Sequence, residues 1–187
     1  MEENFFTKTL LNKSGTTLGT EMLRDLLIPS LVGNNKDIMY WSGKLLARKL
    51  PLASKKDLKL FFKYAGWGDL KLIKSKKDIE IFELSGEPIK LRCKLTEKPD
   101  FKLETGFIAE TYQLEDQFVT EGEIEKVDSK NYTVTINIHI DKHSSMLEEK
   151  TGIQPFSLIE FDKIQKEAQK IDSSNLESTS SNTNDNA

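Results

Sequence analysis

The sequence has little with which to do covalent or metal chemistry: its 187 residues include one cysteine and two histidines. A lone thiol, Cys93, cannot close an internal disulfide, and an unpaired thiol suits a reducing compartment. The chain therefore reads as cytoplasmic. Metal binding needs several His, Cys or carboxylate ligands converging at suitable spacing. His139, His143, Cys93 and scattered acids do not offer that, so no metal and no other cofactor is expected. No apolar run approaches the roughly 20 residues that cross a bilayer, which argues against a membrane span. Glu2, Glu3 and Asn4 precede a short apolar patch, the wrong order for a secretory signal. The basic bias of a nucleic-acid module is also missing, because the formal net charge is −3. Gly66 and Gly68 flank Trp67 without the Lys-Ser/Thr element of a phosphate loop. They read instead as a helix stop and a turn.

What is present is a pattern of helices and strands with polar extensions. Residues 1–17 read as an N-terminal arm, 18–141 as one α+β domain, and 142–187 as a C-terminal extension. From about Asp172 the extension is nearly all Ser, Asn, Asp, Thr and Glu. Such a stretch buries too little apolar surface to offset the entropy of ordering it, so it is expected to be disordered. Leu23, Leu26, Leu27 and Leu31 recur at helical spacing over about 20–32, with Pro29 inside and Gly33 as a stop. A second helix over about 37–49 carries two apolar strips. One holds Ile38, Trp41 and Leu45; the other holds Met39, Leu46 and Leu50 and merges into Gly43 and Ala47. A helix apolar on two sides is central to a domain or shared with a subunit interface, and Gly43 with Ala47 would admit another element at close range. Ser54 opens a third helix striped by Leu58, Phe61, Phe62 and Ala65.

Strands are predicted over 69–74 and 78–84. The alternation of Ile89, Leu91, Cys93 and Leu95 with Lys90, Arg92 and Lys94 reads as a further strand, with Cys93 inward as a small hydrophobe. A late helix over about 101–118 carries Leu103, Phe107, Leu114 and Phe118. A hairpin over 121–127 and 132–140 follows, its second strand placing Tyr132, Val134, Ile136, Ile138 and Ile140 on one face. After Pro155 a short amphipathic helix is expected to turn Phe161, Ile164, Ala168 and Ile171 to one side. N-terminal helices packed on an antiparallel sheet of about four strands, with a late helix between two hairpins, is the fold this order specifies.

Three segments carry a resemblance: MYWSGKLLARKLPL (39–52), FFKYAGWGDL (61–70) and FKLETGFIAE (101–110). Their order and spacing resemble the YslB family of Gram-positive bacterial proteins, a family with no established activity. At longer range Leu103, Gly106 and Phe107 resemble the late helix of the vinyl-reductase-type domain and of TRAPP vesicle-tethering subunits. That resemblance implies helices on an antiparallel sheet, frequent dimerisation, and an apolar ligand cavity in several branches. The cysteine cluster that often leads into this helix in vinyl-reductase-type relatives is absent from 97–101.

Trp41, Arg48, Trp67, Gly106, Phe107 and Glu110 are the residues singled out for a ligand cavity or an interface. Trp67 reads first as a plug at the core edge, and second as the lip of a cavity between helices and sheet. Arg48 lies on a helix that reads as mostly buried, so it needs a partner. Glu110 is the best candidate, either as a structural ion pair or as part of an anchor for a ligand carboxylate. Lys44, Arg48, Lys49, Lys55, Lys56, Lys59 and Lys63 form the densest basic region. With no interleaved aromatic platform it reads as solvated helix surface rather than a nucleic-acid site. Two functions follow: a non-enzymatic binding or adaptor domain holding a small apolar ligand, or a homodimeric interaction scaffold.

Overall fold

The computed structural model describes residues 22–33, 37–95, 98–146, 153–164 and 166–167. The expected arm over 1–17 and tail from 172 lie outside these residues. A π-helical turn, Met22–Leu27, runs into α1, Ile28–Val32. Helix α2, Ile38–Lys49, follows, and then the 3-10 turn Lys55–Asp57 and α3, Leu58–Tyr64. Strands β1, Asp69–Lys76, and β2, Ile79–Ser85, form the first hairpin. Helices α4, Glu87–Leu95, and α5, Lys102–Asp116, lead to the second hairpin, β3, Phe118–Asp128, with β4, Thr133–Ser145.

All strand pairs are antiparallel, and the sheet order is β1-β2-β4-β3. The period-two pattern of β4 decides which face is covered. Val134, Ile136, Ile138 and Ile140 are buried beside Phe82 and Leu84 of β2, while His139 on the other face is exposed. Helix α5 lies over the covered face and is buried without interruption from Glu104 to Gln113. Gly122 of β3 lets it come close: a Cβ there would stand 2.8 Å from the Thr105 methyl and 2.9 Å from Ile138. The α+β fold read from the sequence is the observed one.

Three local expectations are corrected. Residues 89–95 are helical rather than extended. Gly86, at φ +104°, turns the chain out of β2, and Pro88 sits in the first turn of α4, where its missing N–H costs nothing. Helical spacing then places Ile89 and Arg92, three apart, inward together, and both are buried. Cys93 is half-buried against the core, where burial pushes its thiol pKa up. Lys44, expected on a solvated ridge, is only 4% exposed. Its long stem crosses apolar surface and its ammonium meets oxygens at the sheet. Finally, Phe161 and Ile164 point to solvent, while Leu158, Ile159 and Asp162 are half-buried in the helical turn over 158–164. Ala168 and Ile171 lie outside the described residues.

That last turn is tied to the domain by main-chain and side-chain bonds together. Phe156 forms an isolated parallel bridge with Leu52, Ala53 N–H donates to Phe156 O at 2.8 Å, and Phe156 N–H donates to Pro51 O at 3.1 Å. Buried Asp57 accepts from Ile159 N–H at 2.8 Å and from Ser157 Oγ at 3.2 Å, so one carboxylate caps a turn a hundred residues away. Asp57→Ala is expected to loosen 153–164 selectively. Hydrogen exchange should show the Ile159 amide losing protection while the β4 amides keep theirs. Equal protection in parent and variant would mean that the Leu52–Phe156 bridge and the Tyr64–Asp162 hydrogen bond hold the segment without Asp57.

Candidate functional site

Helices α2 and α5 cross at backbone contact because each contributes a glycine at the crossing. A Cβ on Gly43 would stand 2.1 Å from Leu103 O, and one on Gly106 would stand 2.0 Å from Tyr40 O. This close approach brings charged side chains of both helices into one buried group. Arg48 Nε donates to Glu110 Oε1 at 2.6 Å, the pairing expected from the sequence. Lys44 Nζ lies 3.7 Å from the other Glu110 oxygen and donates to Thr120 O at 3.1 Å and to Glu121 Oε1 at 2.9 Å. Gln113 completes the group, giving Nε2–H to Glu110 at 3.3 Å and accepting the Thr120 N–H at 3.0 Å. Tyr40 accepts the Gly122 N–H at 2.9 Å and pairs with Glu121. Burial, and next the hydrogen bond to Glu121, push its phenol well above the ordinary range.

A second buried acid, Glu104, is held from two sides by Arg24 and Arg92, themselves buried. Arg24 also donates to Asp100 O at 3.3 Å, and the Arg92 guanidinium stands 4.7 Å from the Phe101 ring centroid. Both buried acids of α5, Glu104 and Glu110, are thus matched by basic residues of other elements, an arrangement that joins helices.

The remaining singled-out residues fall in three places. Trp67 is buried in an aromatic group, edge-on to Phe61, Phe62 and Phe107 at centroid distances of 5.5, 5.3 and 5.5 Å. Phe107 stacks on Phe61 at 4.3 Å. Gly106 faces the Tyr40 backbone, which fills the space its missing side chain leaves. Trp41 stands on the surface at 58% exposure beside Leu45 at 57%, with Lys44 Nζ 5.6 Å from its ring centroid. The structure therefore unites Arg48 with Glu110, and Trp67 with Phe107, and leaves Trp41 apart.

A cleft of about 450 Å³ opens elsewhere, between the 55–59 segment and the β1-β2 hairpin. Its volume is in the range of small-molecule sites, roughly 300–1,000 Å³. Leu58, Leu70, Phe82 and Tyr112 form its floor, and Lys56, Lys59 and Lys71 stand at its rim. The Tyr112 ring packs edge-on to Phe82 at 5.9 Å and lies 4.8 Å from Lys55 Nζ. Burial, then the charges of Glu80, Asp116 and Glu115, raise its phenol pKa beyond the usual range. Tyr112 is 5% exposed, yet among the described residues nothing hydrogen-bonds its hydroxyl. Glu80, also in the cleft, accepts from Ser75 Oγ at 2.9 Å with one oxygen; its other oxygen is buried with no hydrogen-bond partner.

This site was missed from the sequence because four separate segments build it. One signal was available: Tyr112 sits on α5 away from the Leu103, Phe107 and Leu114 stripe, with lysines dense at 55–59. No group of three or more His, Cys, Asp or Glu side chains suited to a metal occurs among the described residues. Nor, among them, is any helix long and apolar enough to cross a membrane.

Helices on one face of a four-stranded antiparallel sheet, charges matched inside, and an open cleft at the β1-β2 side define a small α+β domain with a concave, mainly apolar candidate site. Residues 17–139 match the family described as "Protein of unknown function (DUF2507)", and the chain belongs to that family. It is 39% identical over 122 residues to the uncharacterized protein YslB of Bacillus subtilis (strain 168), covering 65% of this chain and 82% of that protein. The similarity to YslB read from the three sequence segments is thereby borne out. Among solved structures, it is similar to a vinyl-4-reductase family protein from Methanocaldococcus jannaschii. That match has a TM-score of 0.46 and 18% identity, and covers 75% of this chain and 98% of that one.

Proposed function

We propose that the chain is a non-enzymatic binding or adaptor domain that holds a small, mainly apolar molecule. The observation that carries this reading is the cleft over Leu58, Leu70, Phe82 and Tyr112. A concave, apolar surface with a few polar groups turned into it is the usual form of a small-molecule site. The strongest charge groups of the domain, around Glu104 and Glu110, are meanwhile engaged in holding helices together. Native mass spectrometry of the untagged full chain tests the reading. A retained mass that leaves on denaturation is expected; bare protein, together with no saturable binding of any apolar probe, would overturn it.

A second reading, a homodimeric interaction scaffold, is favoured by α2. Trp41 and Leu45, four residues apart, share one helical face and are both more than half exposed. A two-fold axis would bury that face against itself. Light scattering of the full chain should then give twice the monomer mass, and Trp41→Lys should return it to the monomer with its melting temperature little changed. Monomeric parent protein at high micromolar concentration would end this reading.

A further inference from the structure

The charge around the cleft is opposite to that of the chain. Four lysines, Lys55, Lys56, Lys59 and Lys71, and one carboxylate, Glu80, line it, with Asp116 and Glu115 close enough to act on Tyr112, whereas the whole sequence carries a formal charge of −3. Lys55 is engaged by both Asp116 oxygens, at 2.6 and 2.8 Å. Lys56, Lys59 and Lys71 are exposed and form no ion pair among the described residues. Three ammoniums beside an apolar floor, Lys71 among them standing across the hairpin from Glu83, are a surface for a molecule with two unlike ends. The Tyr112 hydroxyl adds an independent sign. A buried tyrosine normally gives its O–H to an acceptor, and this one opens on the cleft with none among the described residues.

Resting on the binding-domain reading, we infer that the cleft takes a long-chain monocarboxylate, its chain on Leu58, Leu70 and Phe82 and its head among Lys56, Lys59, Lys71 and the Tyr112 hydroxyl. The carboxylate accepts from the tyrosine and is attracted by the ammoniums. The apolar chain covers the floor, and Leu72, 46% exposed at the mouth, extends that floor outward. The charges of Glu80, Asp116 and Glu115 oppose an anion at the tyrosine, so the lysines carry most of its binding.

The test uses the full chain and two probes of equal chain length, dodecanoate and dodecan-1-ol, titrated by calorimetry below the micellar range. Dodecanoate should bind saturably, at least about tenfold tighter than the alcohol, and the gap should shrink as salt screens the exposed lysines. The exposed-site variant Lys59→Glu/Lys71→Glu should weaken dodecanoate at least about tenfold and leave the alcohol unchanged. Tyr112→Phe, which removes only the hydroxyl, should weaken dodecanoate severalfold. Equal binding of acid and alcohol would overturn the anionic head while leaving an apolar-ligand domain. Dodecanoate binding indifferent to both variants would place its site elsewhere and overturn the assignment to this cleft. No binding of either probe overturns the inference. If a mass is still retained on the purified chain in that case, the binding-domain reading stands without it.

Discussion

Gly106→Ala is expected to cost the fold at least the upper end of the about 1–3 kcal/mol typical of overpacked sites. The added methyl would stand 2.0 Å from Tyr40 O, 2.9 Å from Tyr40 C and 3.2 Å from Lys44 N. All three are backbone atoms of α2, so no rotamer change relieves the clash and the helices must separate. Separation would carry Lys44 away from Thr120 and Glu121, and Tyr40 away from Gly122. The sign is diagnostic, because Gly to Ala inside an unhindered helix stabilises by about 0.8–1 kcal/mol. At about 2–4 °C per kcal/mol for a chain of this size, the melting temperature should fall by roughly 6 °C or more. Gly43→Ala, 2.1 Å from Leu103 O, should behave alike. A Gly106→Ala protein melting at or above the parent would show that α2 and α5 do not meet at backbone contact.

Glu110→Ala is expected to cost about 3–5 kcal/mol, the range for removing one partner of a buried ionic group. Glu110 is 1% exposed, and its removal strands Lys44, 4% exposed, with fewer acceptors than before. Arg48→Ala should cost less, because the Arg48 side chain is 38% exposed and solvent screens part of its attraction. Lys44 also stays with Glu110 in that variant. In chemical denaturation of both single variants and the double, a coupling within about 0.5–3 kcal/mol is expected. Strictly additive losses would mean the 2.6 Å contact has no energetic consequence.

Much of this architecture could be read before any coordinates, and the reasons are local. The run from Val134 to Ile140 alternates cleanly because one face is covered by helix α5 and the other is turned away from it, so burial and periodicity agree there, while Tyr132, at φ +55°, belongs to the turn before β4. Gly43, four residues before Ala47, announced a close approach, and the approach exists; what the sequence could not say was that Gly106 lies on the opposing helix. Residues 89–95 misled because an alternation of four apolar residues is too short to separate period two from period 3.6. The buried Arg92 beside Glu104 then decided for the helix. Lys44 misled because a long polar side chain is classified by its tip, while most of its atoms are hydrocarbon. The cleft was illegible for a different reason: Lys56, Lys71 and Tyr112 come together only when the hairpin, the 55–59 segment and α5 have docked.

The strand order has a consequence for how the chain leaves the ribosome. β2 is complete at Ser85, but its permanent neighbour is β4, whose pairing begins only at Val134, about fifty residues later. At about 5–20 residues per second, synthesis leaves that gap open for on the order of 2–10 s. During it the first hairpin shows a bare edge carrying Phe82 and Leu84, the kind of edge that recruits strands from other chains. Helices α4 and α5 emerge in the interval, and their local contacts form in microseconds. With β3, which also waits for β4, they are the described elements made before that partner strand arrives, so nascent chains halted before residue 134 should aggregate more readily than finished ones.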